Sequence, residues 1–199
     1  MNILITVAHP DDETLGMGGT IKKLSKNNEI TLCVMTDGAS AQYDGKKMIK
    51  VRQDACKKAG KILGISKFHF LNFPDMKLDS ISHVEMNKEL EKIIKKINPK
   101  ILYSTSYNDL NKDHQKVFES CSVISRPISS KIKQFLCFEM GGRNKTPFNP
   151  NTYVDISKEL SFKLKALNQY KIEINPFPHE RSLKFIESLS HVRGVESGF

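Results

Sequence analysis

The order of apolar and polar residues along the chain alternates between two patterns. Continuous apolar runs with β-branched residues are typical of strands buried on both faces, and they predict strands at 2–8 and 29–36. Further strands are predicted at 67–73, 100–105 and 132–140. Between these runs, apolar residues recur at helical spacing and predict helices at 13–25, 46–64, 83–97 and about 112–125. In the last third, the pattern predicts a short strand near 152–156, a helix from 157 to about 171 and a final helix.

This alternation predicts an α/β fold, Rossmann-like, with a mostly parallel sheet and helices on both of its faces. The 199 residues suit a single domain, 1–199, because no linker or internal repeat divides them. In open sheets of this kind, ligands bind beyond the carboxyl ends of the strands. The candidate site therefore lies among the loops that follow the strands, at 8–14, 36–45, 73–80, 105–113 and 140–150.

The loop after the first predicted strand carries the sequence AHPDDETLGMGG at residues 8–19. Three consecutive acids, Asp11, Asp12 and Glu13, repel one another there. His9 and Asp12 stand three residues apart in this turn, and an imidazole with a carboxylate suits Zn²⁺ or another divalent first-row ion, which would relieve the repulsion. A capped helix start explains one aspartate and Glu13, but it requires neither His9 nor the second aspartate.

A third metal ligand is expected from another loop at the same edge of the sheet. Among the six histidines, His114 follows the strand at 100–105 through the polar segment NDLNKDH. An Asn- and Asp-rich stretch of this kind is also typical of an ordinary loop and helix cap. Its place on the same sheet edge as His9 favours a metal ligand over that interpretation.

Together, AHPDDE at 8–13 and DLNKDH at 109–114 resemble the two motifs of the PIG-L/LmbE-type zinc-dependent N-deacetylases, which remove acetyl groups from N-acetylglucosamine moieties. Further similar segments extend the resemblance over nearly the whole chain: TDG (36–38), VRQDACKKAGKILGI (51–65), FPDMKL (73–78), PNTYVDISKELSFKLKALNQY (150–170), HERS (179–182) and RGVESGF (193–199). The resemblance implies a hydrolase that acts on an N-acetylated amino sugar. It leaves open what is attached to the sugar, and the basic composition favours a nucleotide- or phosphate-linked one.

The resemblance also implies roles for residues of the two motifs. Zinc, or another divalent metal such as Fe²⁺, would be held by His9, Asp12 and His114, and three protein ligands leave a position for water. Asp11 matches the general base, which takes a proton from the attacking water and passes it to the departing amine. Glu13 receives no catalytic role and is expected to support the metal ligands or the helix start.

Four further residues match the family less directly. Arg52 and Asp75 stand where family members contact the sugar, although Arg52 also suits a helix surface and Asp75 a turn. Asp113 would orient a group that binds the metal. Asn111 stands where many members have a histidine. Its amide can donate a hydrogen bond to an oxyanion but cannot deliver a proton, so protonation would depend on Asp11 or water.

Other classes of function account for less of the sequence. The glycines of GMGG at 16–19 lack the third glycine of a dinucleotide-binding motif, because Ile21 occupies its position, so packing space explains them better. The net charge of +9 comes largely from lysines on polar helix faces without interleaved aromatics, which disfavours a nucleic-acid partner. A non-catalytic, metal-dependent sugar-binding protein is the main alternative, and only Asp11 argues directly against it.

Composition adds expectations about the compartment. No apolar run approaches the ~20 residues of a membrane helix, and no basic segment precedes the first apolar run, so we expect a cytoplasmic protein without a transmembrane segment. The four dispersed cysteines indicate neither a disulfide framework nor a cysteine zinc cluster. A homo-oligomer is compatible with the sequence, which does not specify one.

Overall fold

The computed structural model describes residues 1–43, 46–142 and 144–199. In these ranges, strands alternate with helices in the order β1 (Asn2–Val7), α1 (Asp12–Leu24), β2 (Glu29–Thr36), α2 (Lys46–Leu63), β3 (Lys67–Phe73), α3 (His83–Ile97), β4 (Ile101–Ser104), α4 (Lys112–Ile124) and β5 (Gln134–Cys137). A 3-10 turn at Leu78–Ser80 precedes α3, and α5 (Leu160–Leu167) and α6 (Leu183–Ser197) complete the chain. The parts of the predicted loops 36–45 and 140–150 at positions 44–45 and 143 lie outside the described residues.

The strands form one sheet in the order β3-β2-β1-β4-β5, and every neighbouring pair is parallel. The chain runs outward from β1 to β3 and then crosses to β4 on the other side of β1. The direction of winding therefore reverses between β1 and β4. Ligands of such sheets bind at this reversal, beyond the carboxyl ends of the two strands.

Helices cover both faces of the sheet because its central strands are apolar on both sides. Ile3, Ile5 and Val7 of β1 belong to a core shared with α1, α2, α5 and α6. Leu4 and Ala8 belong to a second core, shared with α3 and α4. The predicted α/β fold is thereby confirmed. Among the described residues, no helix combines the length and the apolar character needed to cross a membrane.

The last third of the chain differs from the prediction. The strand predicted near 152–156 is wrong, because a segment forms a strand only where a neighbour supplies hydrogen bonds, and among the described residues β5 pairs with β4 alone. The helix predicted from 157 is confined to Leu160–Leu167, since a turn comes first, in which the backbone amide of Ser157 donates to the carboxylate of Asp155. β5 is shorter than its predicted run of 132–140.

Close packing explains the glycines that follow the acidic cluster. A Cβ atom on Gly16 would lie 2.2 Å from the ring of Phe138, and one on Gly19 would lie 2.6 Å from Ile156. Larger residues would push α1 away from β5 and from the segment before α5. The prediction that these glycines provide packing space, rather than a phosphate loop, is confirmed.

Candidate active site

Three ligand atoms meet beyond the carboxyl ends of β1 and β4. Nδ1 of His9 lies 3.1 Å from Nε2 of His114 and 3.4 Å from Oδ2 of Asp12. Nε2 of His114 lies 3.3 Å from Oδ2 of Asp12. His9 follows β1, Asp12 begins α1, and His114 lies in the first turn of α4. Tetrahedral zinc with bonds of about 2.0–2.2 Å separates its ligand atoms by about 3.3 Å, so the three atoms fit such an ion. They form one of the groups able to hold a metal among the described residues.

The turn between β1 and α1 holds Asp12 in this position. The backbone amide of His9 donates to Oδ2 of Asp12 at 2.8 Å, which folds the carboxylate back over the strand end. The other oxygen, Oδ1, is buried and accepts no hydrogen bond from the described residues. A buried carboxylate oxygen without a partner is costly, and a bound cation would compensate that cost.

The titration behaviour of the cluster also favours a cation. Burial alone would lower the pKa of His9 and His114, but the carboxylate of Asp12 and further carboxylates outweigh it, so both pKa values are raised. Burial would raise the pKa of Asp12, but the two imidazoles outweigh it and hold that pKa well below its usual range. Positive charge is therefore stabilised at this point, and a metal would supply it in place of imidazole protons.

A second layer of carboxylates orients the two imidazoles. Oδ2 of Asp109 lies 2.7 Å from Nδ1 of His114, and Oδ2 of Asp113 lies 3.2 Å from Nε2 of His9. Oδ1 of Asp75 also lies 3.2 Å from that nitrogen. Such contacts fix the tautomer, leaving Nδ1 of His9 and Nε2 of His114 free to bind metal. His9, Asp75 and Asp113 are a second group of possible ligands. We assign the orienting role to Asp75 and Asp113, because both carboxylates contact Nε2 of His9, the nitrogen that faces away from Asp12 and His114.

Asp113 is itself fixed by the loop after β3. Its two oxygens accept the backbone amides of Met76 and Leu78 at 2.8 and 3.0 Å. This arrangement agrees with the expectation that Asp113 orients a group that binds the metal. Asp109 receives no role in the sequence prediction, although this residue begins the DLNKDH motif. The only signal for it is an acid five residues before a ligand histidine.

Asn111 both caps the N-terminus of α4 and lines a cavity beside the ligand cluster. It is the N-cap of α4, and its Oδ1 accepts the backbone amide of Asp113 at 2.8 Å. Its Nδ2 lies 3.5 Å from the sulfur of Met76, and the residue lines the cavity described below. The helix-cap interpretation of this stretch is therefore correct for Asn111, and it leaves the amide nitrogen at the cavity.

Asp11 differs from Asp12 in its backbone conformation and in its hydrogen bonding. Its φ of 132° is a conformation that residues other than glycine rarely adopt. It stands at the N-cap of α1, yet its side chain makes no capping hydrogen bond, and both carboxylate oxygens are buried without a hydrogen-bond partner among the described residues. Helix capping thus does not explain this aspartate. A strained backbone and a carboxylate without hydrogen bonds at one residue are typical of functional sites.

Glu13 has a structural environment. It is buried and accepts hydrogen bonds from the hydroxyls of Tyr170 and Thr14, at 2.5 and 2.6 Å, and from the backbone amide of Asp11 at 3.2 Å. Burial raises the pKa of Glu13 to about 7. The expected support of the helix start is confirmed, and the bond to Asp11 shows that Glu13 also holds the strained residue.

A cavity of about 360 Å³ opens beside the ligand cluster. Its wall includes His9, Arg52, Asp75 and Asn111, while the remaining sequence-predicted residues, Asp11, Asp12, Asp113 and His114, lie buried around it. The structure thus brings all eight together. The C-terminal third adds residues that the sequence prediction missed, namely Ile172, Glu173, Asn175, His179 and Arg181. They lie more than 160 positions after Asp11 in the chain. The segment HERS at 179–182 shares the family resemblance, but no role is predicted from the sequence for His179 or Arg181, and nothing marks the other three.

Arg52 does not lie on an exposed helix surface, and Asp75 does not lie in an exposed turn, because both residues are buried. Arg52 is 4% exposed, and its guanidinium donates to the backbone carbonyls of Gly38 and Pro10, which joins the loops after β1 and β2. Asp75 is 2% exposed, and its backbone amide donates to the hydroxyl of Ser40. Both side chains face the cavity, so contact with a sugar stays a prediction for each.

The similarities to known proteins agree with this geometry. Residues 4–124 match the family model of PIG-L, described as GlcNAc-PI de-N-acetylase. The chain is 28% identical to diacetylchitobiose deacetylase of Thermococcus kodakarensis, over 98% of this chain and 79% of that protein. It is 32% identical to the uncharacterized deacetylase YaiS of Escherichia coli, over 85% of this chain and 90% of that protein.

A solved structure extends the likeness to the whole fold. N,N'-diacetylchitobiose deacetylase from Pyrococcus horikoshii, in complex with an inhibitor, superposes with a TM-score of 0.80 at 25% identity. The alignment covers 99% of this chain and 79% of the other. The matched family region contains both ligand-bearing loops, those after β1 and β4. The chain belongs to the PIG-L family of GlcNAc-PI de-N-acetylases.

Proposed function

We propose that the chain is a metal-dependent hydrolase that removes the N-acetyl group from an acetamido sugar, with zinc held by His9, Asp12 and His114. The observation that carries this proposal is the different environment of two adjacent aspartates. Asp12 contacts both imidazoles, whereas Asp11 is 1% exposed and neither of its carboxylate oxygens accepts a hydrogen bond from the described part of the chain. One aspartate suits a metal ligand, and the other suits a base.

The side chains divide the reaction between them. When bound, the metal polarises a carbonyl group and increases the acidity of water. Asp11 accepts a proton from the attacking water while the water oxygen bonds to the acetyl carbon. Asp11 then delivers that proton to the sugar nitrogen as the C–N bond breaks. Asn111 donates from Nδ2 to the carbonyl oxygen, where negative charge develops. Acetate and the free amino sugar leave.

The alternative is a metal-dependent sugar-binding protein without catalysis. Such a protein needs the three ligands and the cavity, but it has no use for Asp11. Holding a carboxylate buried, without hydrogen bonds from the described residues and at a φ of 132° costs folding free energy. We therefore favour the enzyme.

The charges at the cavity favour a neutral sugar over the phosphate-linked one that the composition suggested. Among the described residues, two guanidinium groups line the cavity, those of Arg52 and Arg181, and each already contacts carboxylates of Asp11 and Glu173. Neither guanidinium offers an uncompensated charge to a phosphate.

Acetate release tests the function and the substrate together. The chain is stripped with a chelator, reloaded with Zn²⁺ or Fe²⁺, and assayed on N-acetylglucosamine, diacetylchitobiose, N-acetylglucosamine 1-phosphate and a nucleotide-linked N-acetylglucosamine. We expect release from a neutral sugar, abolished by chelation. In Asp11→Asn the rate should fall by about 10²- to 10⁴-fold with the metal retained, while the exposed Asp79→Asn should match the wild type. Metal binding with no acetate from any sugar would favour the sugar-binding alternative.

A further inference from the structure

A buried pair of ion pairs surrounds the carboxylate of Asp11. Its Oδ1 lies 3.6 Å from Nη2 of Arg52, and its Oδ2 lies 3.5 Å from Nη1 of Arg181. Glu173 connects the two arginines, because its Oε1 lies 3.3 Å from Arg52 and its Oε2 accepts a hydrogen bond from Arg181. The four side chains range from 1% to 14% exposed. They form a closed arrangement, which we call the arginine clamp.

The distances in the arginine clamp matter for proton transfer. Contacts of 3.5–3.6 Å stabilise the negative charge of Asp11 but exceed hydrogen-bond length, so the lone pairs of both oxygens remain available to a proton. Glu173 binds both guanidinium groups, and Arg52 is held further by the backbone carbonyls of Gly38 and Pro10. Without Glu173, Arg181 could close onto Asp11 and occupy the oxygen that must accept a proton.

Arg181 is well suited to this task. Its charge is secure, since the carboxylate of Asp11, and after it that of Glu173, raise its pKa above the usual arginine value. Its backbone amide donates to Nδ1 of His179, which anchors the loop before α6. This loop lies outside the matched family region, so the clamp connects the part of the site within that region to the C-terminal third.

We propose that Arg181 and Glu173 are positioning residues for Asp11, holding its carboxylate oriented and free of hydrogen bonds so that it can accept a proton. The inference rests on the proposed deacetylase function. It predicts that loss of either residue slows the chemical step rather than weakening substrate binding.

The test compares Arg181→Met, Arg181→Lys and Glu173→Gln with the exposed control Arg126→Met. Each variant is loaded with Zn²⁺, its metal content is measured, its melting temperature is recorded, and kcat and KM are determined on the best neutral sugar. We expect Arg181→Met to lower kcat by about 10²-fold, the cost of a misplaced catalytic group, with KM and bound zinc close to the wild-type values. Arg181→Lys should restore part of kcat, and Glu173→Gln should lower kcat with the same pattern.

Several outcomes overturn the role. A raised KM at unchanged kcat would make Arg181 a substrate contact. A lowered melting temperature with full kcat per bound zinc would make the arginine clamp purely structural. If Arg181→Met does not fold, Arg181→Lys and Glu173→Gln decide, and wild-type kcat in both contradicts the proposal. A wild-type chain that releases no acetate from any sugar refutes the proposed function, and this role with it, whereas an active wild type with unaffected variants refutes the role alone.

Discussion

Oδ2 of Asp109 lies 2.7 Å from Nδ1 of His114, and both side chains are fully buried. This contact directs the opposite nitrogen, Nε2, toward Asp12 and His9. We predict that Asp109→Asn weakens metal binding by about 10- to 100-fold, because the imidazole loses the partner that fixes its tautomer. Competition with a metal chelator measures the affinity, and the exposed Asp79→Asn is the control. Equal affinities in the two variants would show that Asp109 is dispensable for the ligand set.

Metal affinity should rise with pH. The pKa values of His9 and His114 are raised despite their burial, chiefly by the carboxylate of Asp12, so both imidazoles must release protons when metal binds. Without metal, the stability of the fold should change with pH in the opposite direction. A base whose pKa is raised on folding stabilises the fold below its unfolded pKa and loses that contribution as pH rises through the folded pKa. Between about pH 6 and 9, the metal-free protein should therefore lose stability as pH rises, while the zinc-loaded protein gains stability. Denaturation of both forms across this pH range tests the contrast.

Lys163 should reduce stability at neutral pH. It is 6% exposed in α5, where its stem packs on Gly18, and burial lowers its pKa from 10.5 to about 8. Between these two pH values the unfolded chain holds a proton that the folded chain has lost, so wild-type stability rises with pH there. Lys163→Met removes the buried charge and should add at most about 3 kcal/mol to the free energy of unfolding near pH 7.

Urea denaturation across pH 7–11 measures this effect. The exposed Lys165→Met of the same helix is the matched control and should keep the wild-type slope. A Lys163→Met variant that is less stable than the wild type at pH 7 would mean that the ammonium contributes attraction to Glu139, its nearest charge, beyond the cost of its burial.

Asn111 allows its cap and its pocket role to be separated. Serine is an equally good N-cap, so Asn111→Ser keeps the hydrogen bond to the amide of Asp113 but removes Nδ2 from the cavity. We predict a fall in kcat of about 10²-fold, typical for the loss of one oxyanion donor, at an unchanged melting temperature. Asn111→Ala should show the same fall in kcat together with a loss of about 1 kcal/mol in stability. Full activity in Asn111→Ser would assign the carbonyl contact to another group.

The local pattern predicts the elements of the sheet well and those of the C-terminal third less well. The bounds of β2, β3 and α3 equal the predicted 29–36, 67–73 and 83–97, because the apolar run of β2, the aromatic-rich run of β3 and the amphipathic pattern of α3 are local features of the sequence. Residues 152–156 have a strand-like composition, but among the described residues no strand neighbours them in the sheet. Pairing is a property of two segments, and one segment cannot reveal it.

The same division holds at the active site. The sequence by itself determined which residues could hold a metal, because His9 and Asp12 share one turn and His114 follows a strand of the same parallel sheet. It also separated Asp11 from Asp12, through the family motif. Only the tertiary structure decided what surrounds them. Asp109, Glu173 and Arg181 act on His114 and Asp11 across space, and Glu173 and Arg181 do so from a loop more than 160 positions away. Their roles depend on charges a few ångströms apart in a buried, low-dielectric site, and such proximity arises only when the chain has folded.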